Sequence, residues 1–373
     1  MRILRRSFLR GGAALSLATG LGARLTPALA QAADWKAEWD KTVAAANKEG
    51  HVVVCISPGL ARRDYILKQW KADFPGIEMS ISNAFGGGFV SQVATERAAG
   101  RYLWDVYSSG SATGYAAIKS GQLDPLLPEL ILPEVNDPKI WGGWDTAFYD
   151  LGKKYLLALV ADVTTPYYDA KRIDPARADK LGLQLLLEPD LKGKLVWFDP
   201  RVEGPGPTFL VLFQHVLGDA GLTKLLYDQD VTFVTNFNDA AQMLVRGKVW
   251  MGMGGGLKES FKDFVAAGLP IDVRDLGNTP DKAWLGTDGA TLGVYNQRPH
   301  PNAARVFVNW VASRRVAEAM AKATDYASRR SDIPPLHPGL GIIPGVTYVQ
   351  SAIEENLPLQ RKWMDEAKKA HPQ

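Results

Sequence analysis

Short apolar strands alternate with amphipathic helices along most of this chain, and this alternation restricts the possible folds more than any other feature. A helix that links two strands of one sheet makes those strands parallel, and it covers one face of the sheet. The pattern occurs in two sets separated by a Pro/Trp-rich connector at residues 125–150. It therefore predicts an α/β protein with two parallel sheets, built on strands at 52–56, 77–81, 104–107, 195–198, 231–234, 249–253 and 271–276.

The first thirty residues differ from the rest of the chain. They combine basic residues and no acid with an apolar run at Gly11–Leu21 and end in Ala28-Leu29-Ala30, which predicts a secretory signal at 1–30 and a periplasmic protein. Arg5 and Arg6 open a segment, Arg5-Arg6-Ser7-Phe8-Leu9-Arg10, that resembles a twin-arginine signal. The chain has 43 basic and 40 acidic residues, and the basic excess comes from the first thirty residues. The mature part has no basic run, which argues against a nucleic-acid partner.

Residues that could carry catalysis or bind a metal do not form a recognisable set. The one cysteine, Cys55, lies in an apolar strand and is interpreted as a buried small hydrophobe, without an internal disulfide. The five histidines are scattered, and neither a Gly-x-Ser-x-Gly elbow nor a His-Glu-x-x-His helix occurs. The sequence thus predicts no enzyme, no cofactor and no metal site.

Several segments resemble one family when they are taken in order. These are Trp39–Gly50 followed by Val52-Val-Val, the strand unit Gly193–Arg201, the triplet Arg246-Gly247-Lys248, and His300-Pro301-Asn302-Ala303-Ala304. Together they resemble bacterial extracellular solute-binding proteins of the ferric-iron, thiamine and organophosphonate type. The resemblance implies the type II periplasmic-binding fold, with two α/β lobes, crossover strands, an interlobe cleft and an ABC permease as partner. A monomer is expected.

The resemblance also implies how the chain is divided between the lobes. Residues 34–158 and 285–373 would form lobe 1, and 159–284 would form lobe 2, with the C-terminal part returning to lobe 1. Ferric-binding members place adjacent tyrosines after the strand that follows the Arg-Gly-Lys-like segment. Here that strand, Val249–Met253, continues into Gly254-Gly255-Gly256, so the resemblance does not extend to an iron site. The pair Tyr167-Tyr168 is interpreted as a structural strand end.

Candidate ligand residues lie where strands end and helices begin. Ligands of open α/β sheets bind beyond the carboxyl ends of strands, where helix N-termini offer free N–H groups to anions. Arg201 could bind a carboxylate or phosphate with two hydrogen bonds, or it could instead pair with Asp199 or Glu203. Arg62 and Arg63 are expected to be solvated helix charges. The predicted ligand-binding set is Ser57, Gly59, Gly87, Ser108, Ser109, Ser111, Arg201, Thr208, Gly255 and Asp288.

The sequence therefore predicts a periplasmic binding component of an ABC uptake transporter that closes on a small organic anion. A carboxylate, a phosphonate and a phosphate ester remain open as ligands. Three alternatives also remain: a ferric-iron-type protein without the tyrosine pair, a sensing module for a membrane receptor, and an enzyme on the same scaffold.

Overall fold

The computed structural model describes residues 27–57, 60–83, 86–203, 206–254, 257–269, 271–286, 290–336, 341–343 and 345–372. The secretory signal predicted at 1–30 lies almost wholly outside these residues. The helices are α1 (Pro27–Glu49), α2 (Leu60–Asp73), α3 (Gly86–Ala98), α4 (Ser111–Lys119), α5 (Trp144–Ala147), α6 (Pro175–Leu181), α7 (Thr208–Asp228), α8 (Phe237–Val245), α9 (Leu257–Ala266), α10 (Pro301–Ala312), α11 (Arg314–Thr324) and α12 (Leu357–Ala370).

The strands within the described residues fall into three sheets. They are β1 (His51–Ile56), β2 (Glu78–Asn83), β3 (Val106–Ser109), β4 (Leu123–Asp124), β5 (Leu157–Ala158), β6 (Asp162–Thr164), β7 (Tyr167–Asp169), β8 (Leu195–Phe198), β9 (Thr232–Val234), β10 (Met251–Met253), β11 (Val273–Asp275), β12 (Trp284–Gly286) and β13 (Thr291–Tyr295). Short 3-10 helices occupy parts of the connector at 125–150.

The first sheet has the order β2-β1-β3-β13-β4, and β5 also pairs with β13. The predicted strands β1, β2 and β3 pair in parallel, as the strand–helix alternation requires. β13 returns from the far end of the chain and pairs antiparallel with β3, so the sheet is mixed. Val52, Val54, Ile56 and other apolar side chains of this sheet pack beneath α1, α2, α10 and α11 in the first hydrophobic core.

The second sheet has the order β11-β7-β10-β8-β9. β8 pairs in parallel with both β9 and β10, while β7 pairs antiparallel with both of its neighbours, β10 and β11. Its main core contains Trp197, Phe209 and Phe213, and packs against α7. The two sheets with their separate cores confirm the expected two α/β units.

Two short strands connect these units. β6 and β12 pair antiparallel as a third sheet, with Trp284 opposite Thr164 and Gly286 opposite Asp162. The apolar run at 155–161 is long enough to form one crossing strand. It instead divides, because β5 pairs with β13 of the first sheet and the crossing itself is made by β6.

Helix α7 contains a break at Gly218. A glycine commonly ends a helix, but α7 resumes after Gly218, which has φ 70° and ψ 175°. This left-handed backbone is accessible to glycine at little cost, so the chain bends and continues. α7 is long and apolar enough to span a membrane by length and composition, yet half of its apolar stretch is buried within the protein, as in a core helix.

The last helix does not return to the first unit. Trp363, Met364 and Ala367 of α12 are buried in the second core, against α7. Residues 285–373 were expected to belong wholly to lobe 1, but α12 packs in the second unit. The apolar face of α12 is buried there against the apolar face of α7. The chain passes between the units a third time, and Val349 forms a parallel bridge with Trp284 on this path.

Candidate functional site

Two serine hydroxyls meet at the carboxyl edge of the first sheet. Ser57 follows β1 and Ser109 ends β3, and because these strands are parallel neighbours their Oγ atoms lie 2.8 Å apart. Thr291 donates a hydrogen bond of 2.6 Å to the carbonyl oxygen of Ser109. The structure therefore brings Ser57 and Ser109, two residues of the predicted ligand-binding set, together, and it places Thr291, which the sequence analysis did not identify, beside them.

Ser111 begins α4, but its hydroxyl points away from this pair. It donates a hydrogen bond of 3.0 Å to the carbonyl oxygen of Ala352, which also accepts from Tyr115 at 2.5 Å. Burial raises the pKa of Tyr115, so the phenol stays protonated and able to donate. Ser111 thus holds the segment around Ala352, where the chain passes between the two units for the third time (the third crossing segment).

A buried arginine lies beside the same edge. Arg62 stands in the first turn of α2 and is only 7% exposed, so the expectation of a solvated charge is wrong for Arg62, although Arg63 is exposed. Its guanidinium lies 5.9 Å from the ring centroid of Tyr326. A small cavity beside it is lined mostly by apolar side chains of the first unit, and Arg62, Ser108 and Ser328 are among its polar lining residues, with Val160 also in the lining. Val160 leads directly into the crossing strand β6, which places this cavity where the first sheet meets the crossing strands.

Arg201 is engaged inside the second unit. Its Nε and Nη2 atoms donate to the two carboxylate oxygens of Asp199 at 2.9 and 2.7 Å, and Nη1 donates to the carbonyl oxygen of His371 at 2.8 Å. Burial opposes ionisation of Asp199, but the hydrogen bonds from Arg201 outweigh it and lower the pKa of the Asp199 carboxyl. The geometry matches the salt-bridge alternative for Arg201, because the fork of its guanidinium already holds a carboxylate.

The carboxyl edge of the second sheet is built of aromatic and small residues. The rings of Phe198 and Phe237 lie 4.4 Å apart between centroids, and both contact the position where a side chain on Gly254 would lie. Thr208 begins α7 at this edge. The cap of α8 is Asn236, whose side chain accepts a hydrogen bond from the N–H of Asn238.

The remaining predicted site residues are placed only in part. Gly87 lies in the first turn of α3. Gly59, Gly255 and Asp288 lie outside the described residues.

The two faces of the crossing strands β6 and β12 carry different side chains. Val163 and Leu285 turn to one face, where they pack with Tyr348. Side chains alternate along a strand, so Asp162 and Trp284 belong to the other face. Asp162 is a carboxylate with 6% exposure and Trp284 an indole with 7% exposure. The signal for Asp162 was an acidic residue directly after the apolar run that ends at Ala161.

No group of three or more His, Cys, Asp and Glu side chains among the described residues could hold a metal ion. Cys55 is a fully buried thiol whose pKa is raised by burial, as expected for a structural residue. Tyr167 packs against Phe261, whereas Tyr168 is buried in the second core, so these consecutive tyrosines face opposite sides of β7.

Two α/β units, a pair of antiparallel crossing strands and polar side chains at the carboxyl edges of the sheets define a type II periplasmic-binding protein. The family model for bacterial extracellular solute-binding proteins matches residues 66–338. The chain belongs to this family. Its members bind small molecules outside the cytoplasm and work with the permease of an ABC transporter.

Solved structures agree with the fold at low sequence identity. Iron-bound HitA from Pseudomonas aeruginosa is 18% identical with a TM-score of 0.62, over 86% of this chain and 99% of that chain. Ferric iron-binding protein A from Mannheimia haemolytica, in an open conformation, is 15% identical with a TM-score of 0.66 over the same shares. AfuA from Actinobacillus pleuropneumoniae, with fructose-6-phosphate bound, is 16% identical with a TM-score of 0.59, again over 86% and 99%. No curated protein sequence matches the chain.

Proposed function

We propose that this protein is the periplasmic binding component of an ABC uptake transporter for a small organic anion. The observation that carries the ligand class is Arg62, a buried guanidinium that lines a cavity together with Ser108 at the edge of the first sheet. A guanidinium binds carboxylate and phosphate groups with two hydrogen bonds. AfuA, which has this fold, holds a sugar phosphate, and this supports an anionic ligand.

The serine pair at the same edge supports the proposal. Ser57 and Ser109 provide hydroxyl donors beside the starts of α2 and α4, where unpaired N–H groups favour negative charge. Binding in the cleft would close the two lobes around the solute by movement at the crossing strands β6 and β12. The solute would leave chemically unchanged, because the role requires capture and release only. The lobes are proposed as 34–158 with 285–356, and 159–284 with α12.

The proposed ligand class is tested by a matched pair of variants on one helix. Arg62→Ala should weaken binding of a carboxylate or phosphate ester by about 2–5 kcal/mol, because it removes a buried charge partner. Arg63→Ala is the control, since Arg63 is its exposed neighbour and makes the same change of charge. Calorimetric titration of both variants with butanoate and with ethyl phosphate measures the difference. Equal affinity in both variants, or binding of Fe(III) or a neutral sugar in place of anions, contradicts the anion proposal.

Export is proposed to use the twin-arginine route. Replacement of both Arg5 and Arg6 by Lys retains the positive charge but removes the paired guanidinium groups. The variant should accumulate in the cytoplasm with its signal uncleaved, whereas the single change Arg24→Lys should be exported normally. Fractionation of cells and mass determination of the product measure both outcomes. Normal export of the double variant would contradict this route.

A further inference from the structure

The segment that leads to α12 is attached to the first unit by two consecutive acidic residues. Glu354 donates its N–H to the carbonyl oxygen of Tyr149 at 3.0 Å, and its side chain accepts a hydrogen bond of 2.7 Å from the N–H of Leu151. Glu355 forms an ion pair of 2.7 Å with Lys153. These contacts add to the two hydrogen bonds that α4 donates to the third crossing segment. The chain is therefore fixed to the first unit just before α12 begins.

The turn that receives these acidic residues is itself held in one conformation. The buried carboxylate of Asp150 accepts hydrogen bonds from three consecutive N–H groups, those of residues 154–156. Lys153 has φ 52°, in the left-handed region that a residue with a side chain occupies only where its surroundings fix it. In this conformation its Nζ reaches both the carbonyl oxygen of Phe148 and the carboxylate of Glu355. The turn is thus a preformed anchor for the start of α12.

The other end of α12 is attached to the second unit. The apolar side chains of the helix lie in the second core, against α7. Lys362 pairs with Asp219 of α7 at 2.8 Å. At the C-terminal end, the Nε2 atom of His371 donates to the carbonyl oxygen of Leu226 at 2.7 Å, and Arg201 donates to the carbonyl oxygen of His371 at 2.8 Å. One continuous segment is therefore fixed to both units, separately from the crossing strands β6 and β12.

The attachment changes from one unit to the other within three residues. Leu357 packs against the buried cluster of the first unit that contains Tyr107, whereas Leu359 packs against the second core. Pro358 stands between them and has no N–H to donate to the carbonyl of Glu354, one turn earlier. Helices bend most readily at a proline, and the rest of α12, which is about 21 Å long in all, continues without another. Bending should therefore concentrate at Pro358.

We propose that residues 352–371, the C-terminal tether, limit how far the two lobes can open, with bending at Pro358 while α12 moves with the second lobe. Opening beyond the reach of the tether would break the contacts of Glu354 and Glu355 or pull α12 out of the second core. This inference rests on the lobe movement in the proposed function and assigns to the chain end a role in setting its range.

The range of opening is measured between two labels on the protein without solute. Asp64→Cys on α2 and Asp239→Cys on α8 are exposed positions on helices that begin beyond the carboxyl ends of strands in the two sheets. The natural Cys55 is fully buried, so spin labels react at the two introduced thiols. Pulsed electron paramagnetic resonance then gives the distribution of distances between the lobes.

Removal of the anchor should release the lobes. In the double variant Glu354→Ala/Glu355→Ala, the distribution should broaden and shift to longer distances. The matched control is Asp365→Ala/Glu366→Ala, which removes the same charge from the same segment, where the side chains pair with lysines of α12 itself. The control should keep the wild-type distribution. An anchor variant with unchanged or shorter distances, or an equal change in both variants, overturns the tether.

Two milder changes keep the test decisive if the double variant does not fold. Glu355→Gln removes only the ion pair and should give a smaller shift to longer distances, with Asp365→Asn as its control. Pro358→Ala restores an N–H and should narrow the distribution, whereas Pro301→Ala, in the first turn of α10, should not. No shift in Glu355→Gln overturns the tether, and no narrowing in Pro358→Ala overturns the bending point. These measurements use no solute, so either result leaves the test of the anionic ligand at Arg62 unaffected.

Discussion

Ser111 donates a hydrogen bond to the carbonyl oxygen of Ala352, 241 residues further along the chain, and so fixes the start of α4 to the third crossing segment. Tyr115, one turn later on α4, donates to the same oxygen. The next residues continue the attachment, since Glu354 donates its N–H to the carbonyl of Tyr149 and Glu355 pairs with Lys153 at 2.7 Å. Ser111, which the sequence analysis assigned to ligand binding, therefore stabilises the segment that leads to α12.

Removing the two donors to Ala352 should have a non-additive effect. Ser111→Ala or Tyr115→Phe alone should each lower the free energy of unfolding by about 1 kcal/mol, because the other donor still satisfies the carbonyl. The double variant should lose about 1 kcal/mol more than the sum, since it leaves a buried acceptor unpaired. Urea unfolding of the four proteins measures the coupling. Strict additivity would show that the two hydroxyls do not share this oxygen.

Arg201 should control stability rather than affinity. Arg201→Ala leaves the carboxylate of Asp199, which is only 3% exposed, without its partner and should cost roughly 3 kcal/mol of unfolding free energy. The pair Asp199→Asn with Arg201→Met should recover part of this loss, because no unpaired charge remains. Urea unfolding and calorimetry with the same anion separate the two effects. A large loss of affinity at unchanged stability would return Arg201 to the ligand site.

The packing of Trp284 over Gly286 predicts a steric effect at the crossing strands. Gly286→Ala places a methyl group 2.1 Å from the indole and should lower the unfolding free energy by about 1–3 kcal/mol while shifting the tryptophan fluorescence. Gly110→Ala is the matched control, because a Cβ there meets no atom within 4 Å. Thermal unfolding and emission spectra measure both variants. If the two changes had the same effect, the indole would not occupy the space above Gly286.

Acid should weaken one ion pair around the buried Arg330. Hydrogen bonds from Arg330 to Asp332, at 3.0 and 2.9 Å, lower the pKa of the Asp332 carboxyl. A carboxyl with a lowered pKa contributes stability above the pKa of the unfolded chain, about 4, and loses it as the pH falls through the folded value.

Asp332→Asn removes this titration, so the stability difference between wild type and variant should be full at pH 7 and shrink below about pH 4. Urea unfolding at pH 7, 5, 4 and 3 measures the difference. Asp145→Asn, at an exposed site, should show no such trend. A difference that stays constant down to pH 3 would contradict the assigned role of Arg330.

The sequence predicted local structure well where a strand is wholly buried. β8 occupies the predicted residues 195–198, and β1 extends the predicted strand by one residue, because continuous apolar runs leave little choice of register. A continuous apolar run also hides where one strand ends, as the segment 155–161 shows. Every residue in it is apolar or small, so nothing in the pattern marks where β5 leaves the first sheet and the crossing begins. That point depends on Thr291 and Leu292, which pair with Ala158 and Leu157 from a distant part of the chain.

The candidate site was predictable only at the level of which loops contribute. Ser57 and Ser109 were identified because parallel neighbouring strands end together. Arg62 was missed, since two consecutive arginines at a helix start look alike in sequence and only helix rotation buries one of them. For Arg201 the sequence left two roles open, a ligand contact and a salt bridge to Asp199 or Glu203, because only side-chain geometry could decide between them.

The sequence by itself determined the two α/β units and the order of their main strands, because these follow from hydrophobic period and chain direction. The resemblance to a solute-binding family came from particular segments taken in order. The tertiary structure decided which polar groups are already occupied and which face the crossing strands. It also attached α12 to the second core. These outcomes depend on contacts between residues hundreds of positions apart, and no local pattern carries that information.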